Sequence, residues 1–209
     1  MKQLFLTSSV HAVAHDIAKR VDLSKNNKLV FITTPAEPKA ERGDLQWLRN
    51  DRQALVDAGF DVSDYTITGK SQDQLETDLA RFDFIYMSGG DTYYLLEKSQ
   101  KSGFISVVNN FVRSRGKIYI GTSAGSIITG EKCPDYLDMN SASGLENTDG
   151  YGLVNFTILP HWGSDDFRKK YLDNRLEIAY RKNQVPLLLL TDTQYVHVQD
   201  ECMSIIDVR

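Results

Sequence analysis

A serine, an imidazole and a carboxylate can together cleave an acyl bond, and this chain offers each where a fold could use it. Gly121-Thr122-Ser123-Ala124-Gly125 has the form G-x-S-x-G. It follows the β-branched and aromatic run Lys117-Ile118-Tyr119-Ile120 and leads into Ser126-Ile127-Ile128-Thr129, which can open a helix. Strand, tight turn and helix in that order leave the hydroxyl of Ser123 standing at the top of a sheet. The flanking glycines fit this reading, because so sharp a turn leaves no room for a Cβ where strand and helix backbones nearly touch. A serine hydroxyl is a weak nucleophile at neutral pH and needs a base within hydrogen-bond reach, a role that suits the pKa of imidazole. Of the four histidines, His161 is best placed, just after the proline that closes an apolar run. His11 and His15 stand i, i+4 on a helix, which is metal-ligand spacing. With no third ligand in view they read as a solvated helix face. His197, in an alternating run, reads as a sheet-surface residue.

Acyl transfer also requires two preorganised donors for a tetrahedral oxyanion. The N–H of Ala124, next after the nucleophile, is one. The N–H of Gly90, in the bare turn Ser88-Gly89-Gly90-Asp91-Thr92, is the second, although those glycines equally suit a plain strand-to-helix turn. A carboxylate must then hold the imidazole tautomer. Between Ser123 and His161 the candidates are Glu131, Asp135, Asp138, Glu146 and Asp149, and spacing does not choose among them.

The elements that must position these groups alternate along the chain. Strands are expected at residues 4–6, 29–32, 62–68, 84–87, 117–120, 153–159 and 185–190. Helices are expected from Val10 towards Val21, from Leu45 to Gly59, after the capping-box pair Ser71 and Gln74, beyond Asp91, over 105–115 and over 167–182. Residues 33–42, with two prolines, read as a loop, as does the Asp-, Asn-, Ser- and Gly-rich stretch 131–150. Residues 194–198 and 203–208 alternate like a terminal antiparallel pair. The pattern predicts an α/β fold, a doubly wound and mostly parallel sheet with helices on both faces. Gly89-Gly90, Ser123 and His161 all fall just past the carboxyl ends of strands, where such sheets carry their sites.

Composition narrows the function classes. The 209 residues suffice for one domain, expected to span residues 1–209, and no linker divides them. With 24 basic and 28 acidic side chains and a formal charge of −4, no run of Lys or Arg is available to track a phosphate backbone, so nucleic acid is not an expected partner. Cys133 and Cys202 are too few for a disulfide framework or a zinc site. No apolar stretch approaches the ~20 residues that span a bilayer. With no signal-peptide pattern at the start, a cytoplasmic protein is expected that needs no metal or cofactor and makes no membrane contact.

The segments Ser88-Gly89-Gly90-Asp91-Thr92, Gly121-Thr122-Ser123-Ala124-Gly125 and Leu159-Pro160-His161-Trp162, in that order and spacing, resemble the peptidase E (aspartyl dipeptidase) family of serine peptidases, which also contains the cyanophycinases. The resemblance implies a fold similar to class I glutamine amidotransferases, with serine where those enzymes carry cysteine. It implies Ser123 as nucleophile, His161 as its base, and an oxyanion donor in the turn Gly89 to Thr92. The family's aspartate precedes a methionine shortly after the nucleophilic helix, which implies Asp138, before Met139. Peptidase E proper has a longer insertion after the histidine, whose arginine is associated with acidic substrates. Here the segment to Arg168 is shorter and acidic, and Arg168 is the residue that could occupy similar space. Asp91 replaces the family's asparagine and would repel acidic substrates unless it caps the following helix.

The expected function is thus hydrolysis of dipeptides or short peptides through a Ser-His-Asp triad and an acyl-enzyme. Neutral N-terminal residues are expected to be cleaved at least as well as aspartate. The partner implied is a small peptide substrate, with a homodimer as the quaternary alternative. Two other readings stay open: an esterase of the α/β-hydrolase kind, which shares the chain order Ser, Asp, His, and a small-ligand-binding homologue without turnover.

Overall fold

A computed structural model of the chain describes residues 1–40, 43, 45–137, 144–182 and 185–209. β1 (Gln3–Thr7) leads to α1 (Val10–Ala18), β2 (Lys28–Ile32) to α2 (Glu37–Ala40) and α3 (Gln46–Asp57), and β3 (Asp61–Tyr65) to α4 (Gln72–Leu79). β4 (Phe84–Met87) is followed by α5 (Thr92–Ser102) and α6 (Phe104–Arg113), and β5 (Ile118–Thr122) by α7 (Ala124–Ile127). Next come β6 (Thr157–Leu159), α8 (Asp165–Lys170), a π-helical turn over Tyr171–Arg175, α9 (Leu176–Lys182), β7 (Leu187–Leu189), β8 (Gln194–Gln199) and β9 (Cys202–Asp207).

Seven strands form the main sheet in the order β3-β2-β4-β5-β1-β8-β9. The first five are mutually parallel, β8 and β9 form the expected antiparallel pair, and β8 also runs antiparallel to β1. Alternation along each strand divides the apolar side chains between two faces. Leu4, Leu6, Val30, Ile32, Ile85 and Met87 pack in a core that includes residues of α4, α5 and α6. Phe5, Leu29, Phe31, Phe84 and Tyr86 pack in a second core under α1 and Leu55 of α3. With both faces covered, β1 and β4 are buried throughout, and residues 4–6 and Phe84–Met87 are correspondingly continuous apolar runs rather than alternating ones.

Local signals set the helix starts. Ser71 and Gln74 form the expected capping box on α4, and the Asp91 carboxylate accepts from Tyr94 N at 2.9 Å to cap α5. Of the stretch expected as a loop over 33–42, Thr34–Ala36 forms a 3-10 turn and Glu37–Ala40 forms α2. Pro35 and Pro38 lie in the first turns of these two elements, where a missing N–H leaves no bond unmade.

The largest difference lies near the end of the chain. Only Thr157–Leu159 and Leu187–Leu189 of the two long apolar runs are strands, and they pair in parallel as a separate two-stranded sheet. Both sides of β1 are already taken, by β5 and β8, so these runs have no free inner edge to join. The expected helix over 167–182 begins at Asp165 and is interrupted by the π-helical turn. No helix among the described residues is long and apolar enough to cross a membrane.

Candidate active site

The turn after β5 is strained where the sequence places its serine. Ser123 has φ 50° and ψ −108°, outside the ordinary wells for a non-glycine residue. Close packing allows no relief. A Cβ on Gly121 would lie 2.6 Å from the Gly125 carbonyl oxygen, and one on Gly125 would lie 2.2 Å from that of Met87. Hydrogen bonds hold the turn from β1: Ser123 N donates to Thr7 O at 3.0 Å, and Ser126 Oγ donates to the same oxygen at 2.8 Å. The Tyr119 hydroxyl donates to Gly125 O at 2.7 Å.

Parallel register brings the partners to this serine. β1 and β5 run side by side with Thr7 opposite Thr122, so Ser8 emerges beside Ser123. β6 and β7 run side by side with Leu159 opposite Leu189, so His161 and Asp192 emerge together. His161 Nε2 lies 3.0 Å from Ser123 Oγ, and His161 Nδ1 lies 2.7 Å from Asp192 Oδ1. Ser8 ties the two pairs to each other. Its hydroxyl donates to Asp192 Oδ1 and accepts from His161 N, each at 2.7 Å. The imidazole, itself at a residue with φ 60°, stacks on Phe167 with 4.3 Å between centroids. The hydrogen bond from His161 holds the Asp192 carboxyl below its usual pKa; partial burial opposes this, and the bond from Ser8 reinforces it.

The carboxylate at His161 is thus Asp192, which lies C-terminal to the histidine rather than between Ser123 and His161. Asp138 lies outside the described residues. Glu131, Asp135, Glu146 and Asp149 are exposed, none hydrogen-bonded to His161, and Asp135 faces Lys182 at 3.3 Å. The signal for Asp192 was present: it follows a continuous aliphatic run, at the carboxyl end of a strand, as Gly90, Ser123 and His161 do.

Ser123, His161, Gly89, Gly90 and Asp91 line one cleft of about 450 Å³, within the range of small-ligand sites. The N–H groups of Gly90 and Ala124 donate to no acceptor among the described residues. Gly90 has φ 141°, and a Cβ there would lie 2.0 Å from Pro35 O, so only glycine fits this turn. Asp91 is engaged as the cap of α5. Arg168 does not line this cleft but a neighbouring cavity with Trp162 and Leu172. Helical spacing is the reason: on α8, Asp166, Phe167 and Lys170 turn towards Ser123, and Arg168 falls on another face. Lys39 of α2 also lines the cleft, and its ammonium pKa is lowered, first by burial and then by Lys170.

One exposed residue of α1 has partners that its place in the sequence does not announce. His11 is not simply a solvated residue of α1: its Nδ1 lies 3.0 Å from Asp51 Oδ1 and 2.9 Å from Ser9 Oγ, and it lines the same cleft. His15 is exposed, and no group of side chains that could hold a metal ion occurs among the described residues. His197 stacks on Phe5 at 4.5 Å across β1 and β8.

An α/β sheet carrying a serine on a strained elbow, with an imidazole in reach, defines a hydrolase-like site. Comparison with known proteins makes the assignment specific. The family model of peptidase family S51 matches residues 4–206. An uncharacterised peptidase of Listeria innocua is 28% identical over 204 residues, covering 96% of this chain and 94% of that protein. A second, from Listeria monocytogenes, is 31% identical over 172 residues, covering 81% and 82%. A Drosophila melanogaster protein named "probable alpha-aspartyl dipeptidase" is 27% identical over 168 residues, covering 78% and 68%. Among solved structures, a "putative peptidase E protein" from L. monocytogenes superposes with a TM-score of 0.87 at 25% identity over the whole of both chains. The chain belongs to peptidase family S51, and it is a serine-type peptidase.

Proposed function

We propose that the chain hydrolyses dipeptides or short peptides by acyl transfer through Ser123, His161 and Asp192. Ser123 Oγ attacks the scissile carbonyl carbon while its proton passes to His161 Nε2. The Gly90 and Ala124 N–H groups hold the resulting oxyanion. Collapse breaks the C–N bond, and the leaving amine takes the proton from Nε2. Water then attacks the acyl-enzyme with His161 again as base. Asp192 accepts from Nδ1–H throughout, so that Nε2 faces the serine and the imidazolium is stabilised. The observation that carries this reading is the unbroken chain of 3.0 and 2.7 Å contacts from Ser123 to Asp192.

A fluorophosphonate probe should label the protein, and Ser123→Ala should abolish both labelling and dipeptide turnover. Asp192→Asn should lower kcat by roughly 10⁴-fold, as loss of a tautomer-holding carboxylate does, and far more than Asp138→Asn. The reverse order would return the orienting role to Asp138.

A second reading, preference for an N-terminal aspartate, is favoured by Lys39 and Lys170, which line the cleft where Arg168 does not. It requires a higher kcat/KM for Asp-Leu than for Ala-Leu, lost in Lys39→Ala or Lys170→Ala. Equal values support the broader dipeptidase.

A further inference from the structure

The cleft contains a second His–Asp pair that the acyl-transfer steps do not use. His11 is the second residue of α1, and Asp51 lies on α3, which packs against α1. Asp51 is 2% exposed. A carboxylate so buried must be matched by donors, and three converge on it. The hydroxyl of Tyr86 donates to Oδ2 at 2.9 Å, while His11 Nδ1 and His11 N approach Oδ1 at 3.0 and 3.4 Å. The pair therefore fixes the tautomer and the ring orientation of His11. Nδ1–H faces Asp51 Oδ1 at 3.0 Å, with Ser9 Oγ beside it at 2.9 Å, and Nε2 makes no hydrogen bond among the described residues in a side chain that lines the cleft and is 45% exposed. The bond to Asp51 raises the pKa of His11 above its ordinary 6.5, partly offset by burial, with smaller contributions from the charges of Asp51 and Asp192.

The topology says which part of a substrate meets this group. The Gly89-Gly90 turn follows β4, on one side of β5, whereas Ser8, Ser9 and α1 follow β1, on the other. His161 and Asp192 are held on the β1 side, by Ser8. The acyl oxygen turns towards the glycines, and the leaving amine must turn towards the imidazole that protonates it. The start of α1, which carries His11, thus lies on the leaving-group side of Ser123, and the ring reaches from there into the cleft. A group there that recognises charge would meet the residue released as the amine, whose own carboxylate in a dipeptide is only two bonds from the scissile nitrogen.

We propose that His11 Nε2–H, held in place by Asp51, is the receptor for the free C-terminal carboxylate of a dipeptide, and so selects substrates one residue long beyond the scissile bond. This rests on the reading of Ser123 and His161 given above. Asp51 is a positioning residue: it acts through the imidazole and touches no substrate.

The test compares Ala-Leu with Ala-Leu amide, which differ only in the charge at the C-terminus. In the wild type, kcat/KM should favour the free acid by about 10- to 100-fold, the worth of one charge-assisted hydrogen bond, mostly through KM. His11→Ala should bring the ratio close to one, and His11→Gln, which keeps a neutral donor, should fall between. A ratio unchanged in His11→Ala overturns the inference. So does a His11→Ala loss that is larger for Asp-Leu amide than for Ala-Leu, since His11 would then serve the N-terminal side chain. Fluorophosphonate labelling separates this from failure of the underlying reading. Ser123-dependent labelling and turnover without discrimination removes the role of His11 alone, whereas turnover that survives Ser123→Ala removes the acyl-transfer reading itself.

Discussion

Ser8 belongs to no motif, yet its hydroxyl contacts both the backbone of His161 and the carboxylate of Asp192. It is fully buried, at the end of β1, and its single proton is directed to Asp192 Oδ1 while a lone pair receives His161 N. Ser8→Ala removes both bonds but leaves every group of the proposed chemistry in place. The expected result is a kcat lowered by about 10- to 100-fold, with a smaller change in KM and a smaller loss than for Asp192→Asn. A change confined to KM would deny Ser8 this positioning role. The same variant has a consequence for acid stability. Asp192 is held below its unfolded value, so its contribution is complete above about pH 4 and is lost as pH falls through the folded value. Removing the Ser8 donor moves the folded value up, and the acid-unfolding midpoint, followed by circular dichroism, should shift to higher pH.

Elements succeed or fail here through backbone contact more than through propensity. α7 is only four residues long and starts from a residue with positive φ, so its position comes from the strands beneath it. Gly125 touches the Met87 carbonyl of β4 and Gly121 touches Gly125, which leaves no space for a single methyl at either. Gly125→Ala is expected to destabilise by about 3 kcal/mol or more, since strand and helix must separate to admit the Cβ. By contrast, Asp91→Ala removes only the cap of α5 and should cost about 1 kcal/mol. Urea denaturation of the two variants tests the order: a Gly125→Ala loss no larger than that of Asp91→Ala would mean that the elbow can relax.

At the scale of the whole molecule, two apolar cores share one sheet, and groups that must stay neutral lie inside it. Burial pushes the Cys133 thiol from 9.0 up to about 12 and holds the Tyr86 and Tyr119 hydroxyls well above 10. For acids whose folded pKa is raised, the stabilisation is full below the unfolded value and is lost as pH rises towards the folded one. Denaturant midpoints should therefore fall progressively above about pH 9, and a flat profile to pH 11 would contradict the burial. Under native conditions at pH 8, a thiol reagent should modify exposed Cys202 quickly, and Cys133 only at the rate of unfolding.

Periodicity and punctuation in the sequence were enough for whatever a local signal encodes: the alternation of strands and helices, the caps at Ser71 and Asp91, the elbow at Ser123, and His161 after its proline. Each depends on neighbours within a few residues. Asp192, Ser8 and the pairing of His11 with Asp51 do not. They meet the site only because β1 lies beside β5 and β6 beside β7 in parallel register, and because α1 packs on α3. Nothing in the chain near Asp192 states that Leu189 will stand opposite Leu159, and nothing near His11 states that a carboxylate forty residues away will be buried against it. Side-chain chemistry and turn geometry are properties of short stretches, legible in order along the chain. Which carboxylate faces which imidazole is a property of strand pairing and helix packing, and only the folded molecule decides it.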